Sequence, residues 1–220
     1  MTGPLTILVV AKAPVPGLVK TRLGAIVGDV LAADLAAAAL LDTLAACHDA
    51  GAAGHLSLAG DLAGALRGAE IATALDGWAI TPQRGDGFAE RLVNAHLDAG
   101  PGLVVQVGMD TPQVTGAALR EVAAAIDGHD AVLAPATDGG WWALARRDPD
   151  VVRHLAEVEM STDTVCVETR AALERAGARV AHAPAMTDVD TVEDADLVAG
   201  LAPHSRFAEA WRALRAEVAS

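Results

Sequence analysis

A chain of 220 residues, 52% hydrophobic and 20% charged, is long enough to bury a substantial core in one α/β domain and too apolar to be disordered. Tyrosine is absent and aromatics make up 3%, so that core must be aliphatic, and the alanine excess favours helices. A formal net charge of -13 argues against a nucleic-acid partner, because the sequence offers no basic cluster beyond Lys12, Lys20 and Arg22.

The run Leu5 to Ala11 (LTILVVA) is continuous and rich in β-formers, the pattern of a strand buried on both faces. Asp29 to Ala50 has helical spacing, with Asp34, Asp42 and Asp49 on one face and Gly51 and Gly54 at its end. His55 to Ala59 follows as a strand, then Ile71 to Leu75 and Trp78 to Thr81 as weaker strand candidates. Gly87 to Ala99 reads as a helix, Leu103 to Gly108 as a second buried strand and Thr115 to Ile126 as an amphipathic helix. Ala131 to Pro135 and Trp141 to Ala145 are strands either side of an Asp-Gly-Gly turn. Thr162 to Ala176 is expected to be helix, Ala178 to His182 strand and Val192 to Leu201 helix. After Pro203, the positions Phe207, Trp211, Leu214 and Val218 recur at helical spacing, which makes residues 203–220 a C-terminal helix packed on a domain of residues 1–202. Alternating strands and helices with short connections predict one three-layer α/β/α domain with a mostly parallel sheet.

Nothing in the sequence adds a targeting segment. The N-terminus lacks a signal-peptide pattern and its apolar run is too short to span a bilayer, so a cytoplasmic protein with no membrane span is expected. Cys47 and Cys166 have no CxxC spacing and are expected to be buried free thiols. The histidines are scattered, and none is assigned to catalysis. A homodimer through the alanine-rich or C-terminal helices is compatible with the sequence without being indicated by it.

Ligands on such sheets bind at the carboxyl ends of the strands, which directs attention to four loops. The first is APVPGLVKTRL, Ala13 to Leu23. It is not a P-loop, because Pro14 and Val19 stand where GxxxxGK[ST] needs glycine. It is a proline-stiffened segment in which Lys12, Gly17, Lys20, Thr21 and Arg22 could cradle a di- or triphosphate, or else a surface loop whose cations pair with carboxylates. The second, VGMDTPQV, puts Asp110 just past a buried strand, where it suits a hard cation; as a helix cap it is redundant with Thr115. The third, APATDGGWWAL, combines Asp138, Gly139 and Gly140 with Trp141 and Trp142, one to stack on a ligand and the other to fill core, or a plain hairpin turn with two core indoles. In the fourth, MTDVDTVEDADL, Thr191 and Asp194 form a capping box, leaving Asp188 and Asp190 on opposite faces of a strand end. One of the two, facing the cleft, would complete a two-carboxylate magnesium site with Asp110.

The segments AKAPVPGLVKTRL, GMDTP, PATDGGWWAL, MSTDTV and DVDTVEDA, in this order, resemble the radical-SAM/selenodomain-associated transferases, also described as arsenosugar-biosynthesis glycosyltransferases and related to phospholactate guanylyltransferase. The resemblance covers residues 5–200 and implies a GT-A-like nucleotide-diphospho-sugar transferase fold. It further implies that Lys20 and Arg22 hold nucleotide phosphates and that Asp110 and Asp190 bind Mg2+ or Mn2+. By the same resemblance, Asp138, Gly139, Gly140 and Trp141 line the acceptor side with Ser161 and Thr162 nearby. Trp141 stands where tyrosine is expected, Met160 where tryptophan is expected and Val192 where proline is expected. The function expected first is magnesium-dependent nucleotidyl transfer to a small phosphorylated acceptor, with Lys20, Arg22 and Asp110 as catalytic residues. A cationic first loop, and an Asp110 that stands without the second aspartate of a DxD motif, favour it. Glycosyl transfer from a nucleotide sugar is the alternative, and a nucleotide-binding module without turnover a second one.

Overall fold

The computed structural model describes residues 4–218. The side chain of Val218, assigned by spacing to the last apolar stripe, lies outside the described side chains. In chain order the elements are β1 (Thr6–Lys12), α1 (Thr21–Val27), α2 (Asp29–Asp49), β2 (Ala53–Ala59), α3 (Gly68–Ala74), β3 (Ala79–Pro82), α4 (Phe88–Asp98) and β4 (Val104–Val107). They continue with α5 (Gly116–Ala124), β5 (Ala131–Pro135), β6 (Trp141–Arg146), α6 (Val165–Arg175), β7 (Val180–His182), α7 (Val192–Leu201) and α8 (Arg206–Val218). Two 3₁₀ segments, Leu62–Gly64 and Pro149–Glu157, complete them.

The strands form one seven-stranded sheet in the order β3-β2-β1-β4-β6-β5-β7. Only β6 runs antiparallel to its neighbours, β4 and β5. The carboxyl ends of β1, β4 and β5 therefore open on one edge, and β6 starts from that same edge. Strand alternation splits the core: Ile7 and Val9 of β1 face α2 and α5, while Leu8 and Val10 face α4 and the second 3₁₀ segment.

Helix α2 explains its alanine content. One face (Ala33, Ala36, Ala37, Leu40, Leu44) lies on the sheet, and the opposite face (Leu35, Ala38, Ala39) packs against Phe207 and Trp211 of α8 and Val198 of α7. The many small side chains let elements pack closely on both sides of this helix at core density. It is long and apolar enough to cross a membrane by composition, with a mean hydropathy of 1.8, yet 78% of that window is buried inside the fold. Of its four acids, Asp29 and Asp49 are exposed and the other two are tied into the fold. Asp34 receives two hydrogen bonds from Arg67, at 2.7 and 2.6 Å. Asp42 is buried and accepts the backbone N–H groups of Arg206 and Phe207, capping α8 from another helix.

Two expectations change and one helix goes unanticipated. Ile71 to Leu75 is not a strand: it belongs to α3 and its end, with Ile71 and Leu75 both buried at i, i+4 spacing, so helical packing overrides the β-preference of the isoleucine. Helix α1 escapes sequence detection because it is one short segment interrupted by Gly24 and without a side-chain cap. Of the two thiols, Cys47 is buried, which pushes it up to about 12, whereas Cys166 is only partly buried.

Candidate functional site

The cleft at the carboxyl edge is assembled by four segments. The chain leaves β1 through the Val15–Leu18 turn, in which Leu18 N–H returns to Val15 C=O and Gly17 takes a φ of +77°. Gly17 therefore shapes the loop and does not line the cleft. Lys20 precedes α1 in a left-handed conformation, φ 47° and ψ 42°. Ser161, across the cleft, is also left-handed at φ 68°. Side chains with a Cβ avoid this region, and such strain concentrates at working sites.

The geometry centres on Lys20. Its ammonium lies 2.7 Å from Asp110 Oδ1 and 2.9 Å from Asp190 Oδ1, with the side chain 9% exposed. Burial alone would lower its pKa; attraction to Asp110 and Asp190 outweighs that and holds it above the ordinary lysine value. For Asp190, burial raises the pKa, and Lys20 and Arg22 more than reverse this. Arg22 is exposed and reaches Asp190 at 3.6 Å. Lys12 and Thr21 line the same cavity, of about 410 Å³, with Arg91, Gln83 and Met109.

Asp188 and Asp190 do not point to opposite faces as expected from a strand end. The segment after β7 is threaded across the loops that follow β5 and β4: Met186 bridges Ala136, and Val189 N–H donates to Asp110 C=O at 2.9 Å. This irregular path turns both carboxylates into the cleft, where oxygens of Asp138, Asp188 and Asp190 lie within 4.8 Å of one another. Burial and then repulsion from Asp138 and Asp190 push Asp188 up to about 6. Thr191 and Asp194 form the expected capping box, and Thr115 caps α5 by accepting Ala118 N–H.

The residues expected on the acceptor side meet in a second cavity, of about 540 Å³. Asp138 accepts Gly140 N–H at 2.7 Å, and Trp141 donates its indole N–H to Thr169 at 3.3 Å. Trp142 is buried, with its N–H on Pro184 C=O. Ser161 and Thr162 line the wall, whereas Gly139 works from behind it. A Cβ on Gly139 would stand 1.9 Å from the carbonyl oxygen of Asp163, and its φ is +91°. Gly139→Ala is therefore expected to cost about 2–4 kcal/mol and to displace the Ser161–Asp163 wall; a urea midpoint equal to that of the parent would refute the contact.

Sequence reasoning missed Gln106, Thr111, Phe88 and Asp163, which also line this cavity. Only Gln106 carried a signal, as a polar residue inside an apolar strand.

The family model described as an uncharacterized protein conserved in bacteria (DUF2064) matches residues 40–162. No curated protein matches. Among solved structures, a candidate nucleotide-diphospho-sugar transferase from Desulfovibrio desulfuricans G20 is 28% identical over 100% of this chain and 96% of its own, with a TM-score of 0.78. The manganese complex of Rv0371c from Mycobacterium tuberculosis H37Rv is 22% identical over 89% of this chain and 98% of its own, with a TM-score of 0.54. A nucleotidyl transferase from Methanothermobacter (Mth528) is 15% identical over 91% of this chain and 99% of its own, with a TM-score of 0.58. The chain belongs to the DUF2064 family of proteins conserved in bacteria, built on the fold of nucleotide-diphospho-sugar transferases.

Proposed function

We propose that this protein is a metal-dependent transferase acting on a nucleoside triphosphate or nucleotide sugar, with nucleotidyl transfer as the first reading. The observation that carries it is Lys20, held between Asp110 and Asp190 beside Arg22 at the carboxyl edge of the sheet. Lys20, Arg22, Lys12 and Thr21 would hold phosphate oxygens, and Asp110 would keep the Lys20 ammonium aimed into the cleft. Fixed donors of this kind act by positioning and by stabilising charge as it develops.

The residues present fit a divalent cation. Asp138, Asp188 and Asp190 offer hard oxygen donors within 4.8 Å of one another, the ligand type that Mg2+ and Mn2+ prefer. Asp190 is shared with the Lys20 pair, so a cation there would adjoin the phosphates, while Asp110 is engaged by Lys20. Such an ion supplies charge neutralisation and orientation of phosphate oxygens. The manganese complex of the Mycobacterium tuberculosis protein supports this reading. Glycosyl transfer remains the second reading, favoured by the description of the Desulfovibrio desulfuricans protein and by the resemblance to the radical-SAM-associated glycosyltransferases.

The test is a thermal-shift panel of nucleoside triphosphates and nucleotide sugars, each with and without Mg2+ or Mn2+. At a hundredfold excess over Kd a ligand adds about 2.7 kcal/mol, roughly 5–10 °C for a chain of this size. A metal-dependent shift that is largest for one triphosphate, and lost in Asp190→Asn, is expected. A shift confined to a nucleotide sugar would transfer the assignment to glycosyl transfer, and no shift with any ligand would refute both.

A further inference from the structure

The two cavities that share Arg22, Asp110, Ser161 and Asp190 differ in charge. The first sets Lys12, Lys20, Arg22 and Arg91 against Asp110 and Asp190. The second carries Asp110, Asp138, Asp163, Asp188 and Asp190, and Arg22 is the one cation among its described lining residues. A divalent ion together with Lys20 and Arg22 would still leave the carboxylates in excess. Nucleotide phosphates, bound first, would use those cations. A phosphorylated acceptor would then enter a field of its own sign.

The floor of the second cavity supplies an independent observation. Gln106 is 4% exposed, in the strand β4. Its Oε1 accepts from His96 Nε2 at 2.9 Å. His96 must carry its proton on Nε2, because Nδ1 receives Arg146 Nε at 3.3 Å and a guanidinium can only donate. Arg146, fully buried, is fixed in turn by the carbonyls of His96, Gly100 and Gly102. This chain settles which end of the amide faces which way. The oxygen is engaged, and the NH2 group, to which no described residue is hydrogen-bonded, belongs to the cavity. Thr111, 3% exposed and lining the same cavity, also has an unpartnered hydroxyl.

We propose that the second cavity takes an uncharged, hydroxyl-rich acceptor, a polyol or sugar, in place of the phosphorylated acceptor expected from the sequence. The inference rests on reading the first cavity as the nucleotide-phosphate side. Carboxylates accept hydroxyl protons, the Gln106 amide donates to a hydroxyl oxygen, and the half-buried Trp141 offers apolar surface to C–H groups. Gln106 is a specificity residue in this arrangement, and His96 and Arg146 are positioning residues behind it.

Matched probes test it: glycerol, glucose and myo-inositol, each against its monophosphate, titrated into the protein with Mn2+ and the nucleotide that shifts its melting temperature. Binding is read by tryptophan emission, with Trp141→Phe as the control for the reporting indole. Each unphosphorylated probe that binds is expected to bind at least about tenfold tighter than its monophosphate. Gln106→Leu and Gln106→Glu are both expected to weaken it about tenfold. The glutamate variant keeps an acceptor for His96 but exchanges the donor for a charged acceptor, so full binding in that variant would overturn the donor role. Equal or tighter binding of the monophosphates, or no saturable binding of any unphosphorylated probe, would overturn the proposal. The nucleotide reading fails separately, by an absent nucleotide shift, in which case the probe pairs are ranked with Mn2+ alone.

Discussion

Lys20→Ala is expected to reduce turnover by about 10²–10³-fold, the scale for removing one preorganised donor from developing charge. The same substitution should act on metal with the opposite sign. With the ammonium gone, the Asp110 and Asp190 oxygens it held, each within 3 Å of one point, face each other without a resident cation. Mn2+ affinity, followed by calorimetry or by the spin signal of the free ion, is expected to rise while nucleotide affinity falls. A second variant separates charge from backbone. Lys20 sits at a φ of 47°, which costs a side-chain-bearing residue roughly 1–2 kcal/mol. Lys20→Gly removes that strain together with the charge. If Ala and Gly lose activity equally, charge is the cause; if Gly retains it, the loop conformation is. Unchanged nucleotide and metal affinities in both would reduce the triad to a structural ion pair.

Acid should destabilise the protein through His96. Burial, then the nearby Arg146 charge, lowers its pKa to about 3, against the bond to Gln106, which raises it. The unfolded chain takes up a proton near pH 6.5 and the folded one does not. Stability is thus fully present above 6.5 and is lost as the pH falls toward 3, by on the order of 4 kcal/mol. About 2 kcal/mol of this falls between pH 6.5 and 5, before ordinary carboxylates titrate. Asp188 works in the other direction: raised to about 6, it binds its proton more readily when folded and gains stability as pH falls from 6 toward 3.8. Comparing slopes cancels that contribution. Urea unfolding of the parent and of His96→Gln, at half-unit steps from pH 7 to 5, should give a steeper loss for the parent. Parallel slopes would mean that the buried imidazole is protonated in the fold as easily as outside it.

Much of the fold is legible in the sequence because strands buried on both faces leave an unambiguous trace. Residues 5–11 and 103–108 announce β1 and β4 by continuous apolar runs, and the Thr191–Asp194 box marks the first turn of α7. Elements whose stability comes from neighbours leave none. Helix α3 looks like a strand until Ile71 and Leu75 are seen buried on one side. The site divides the same way. Residues next to strand ends, such as Asp110, can be located by position alone. The placement of Asp188 depends on a chain path with no regular period, pinned by the Val189 bond to Asp110 C=O. Gln106 takes its orientation from Arg146, forty residues further on, a relation that no local pattern encodes.

The carboxylate of Asp42 ties α2 to α8, elements far apart in sequence. It sits buried in α2, its pKa raised by burial, and its oxygens are satisfied by the first N–H groups of α8 and by Arg206. Synthesis delivers α2 well before α8. Until Arg206 and Phe207 emerge, Asp42 has neither of these donors, and Leu35, Ala38 and Ala39 lack the cover that Phe207 and Trp211 provide. Helix α8 supplies the donors and the apolar cover together, so this face of α2 is complete only once α8 has docked.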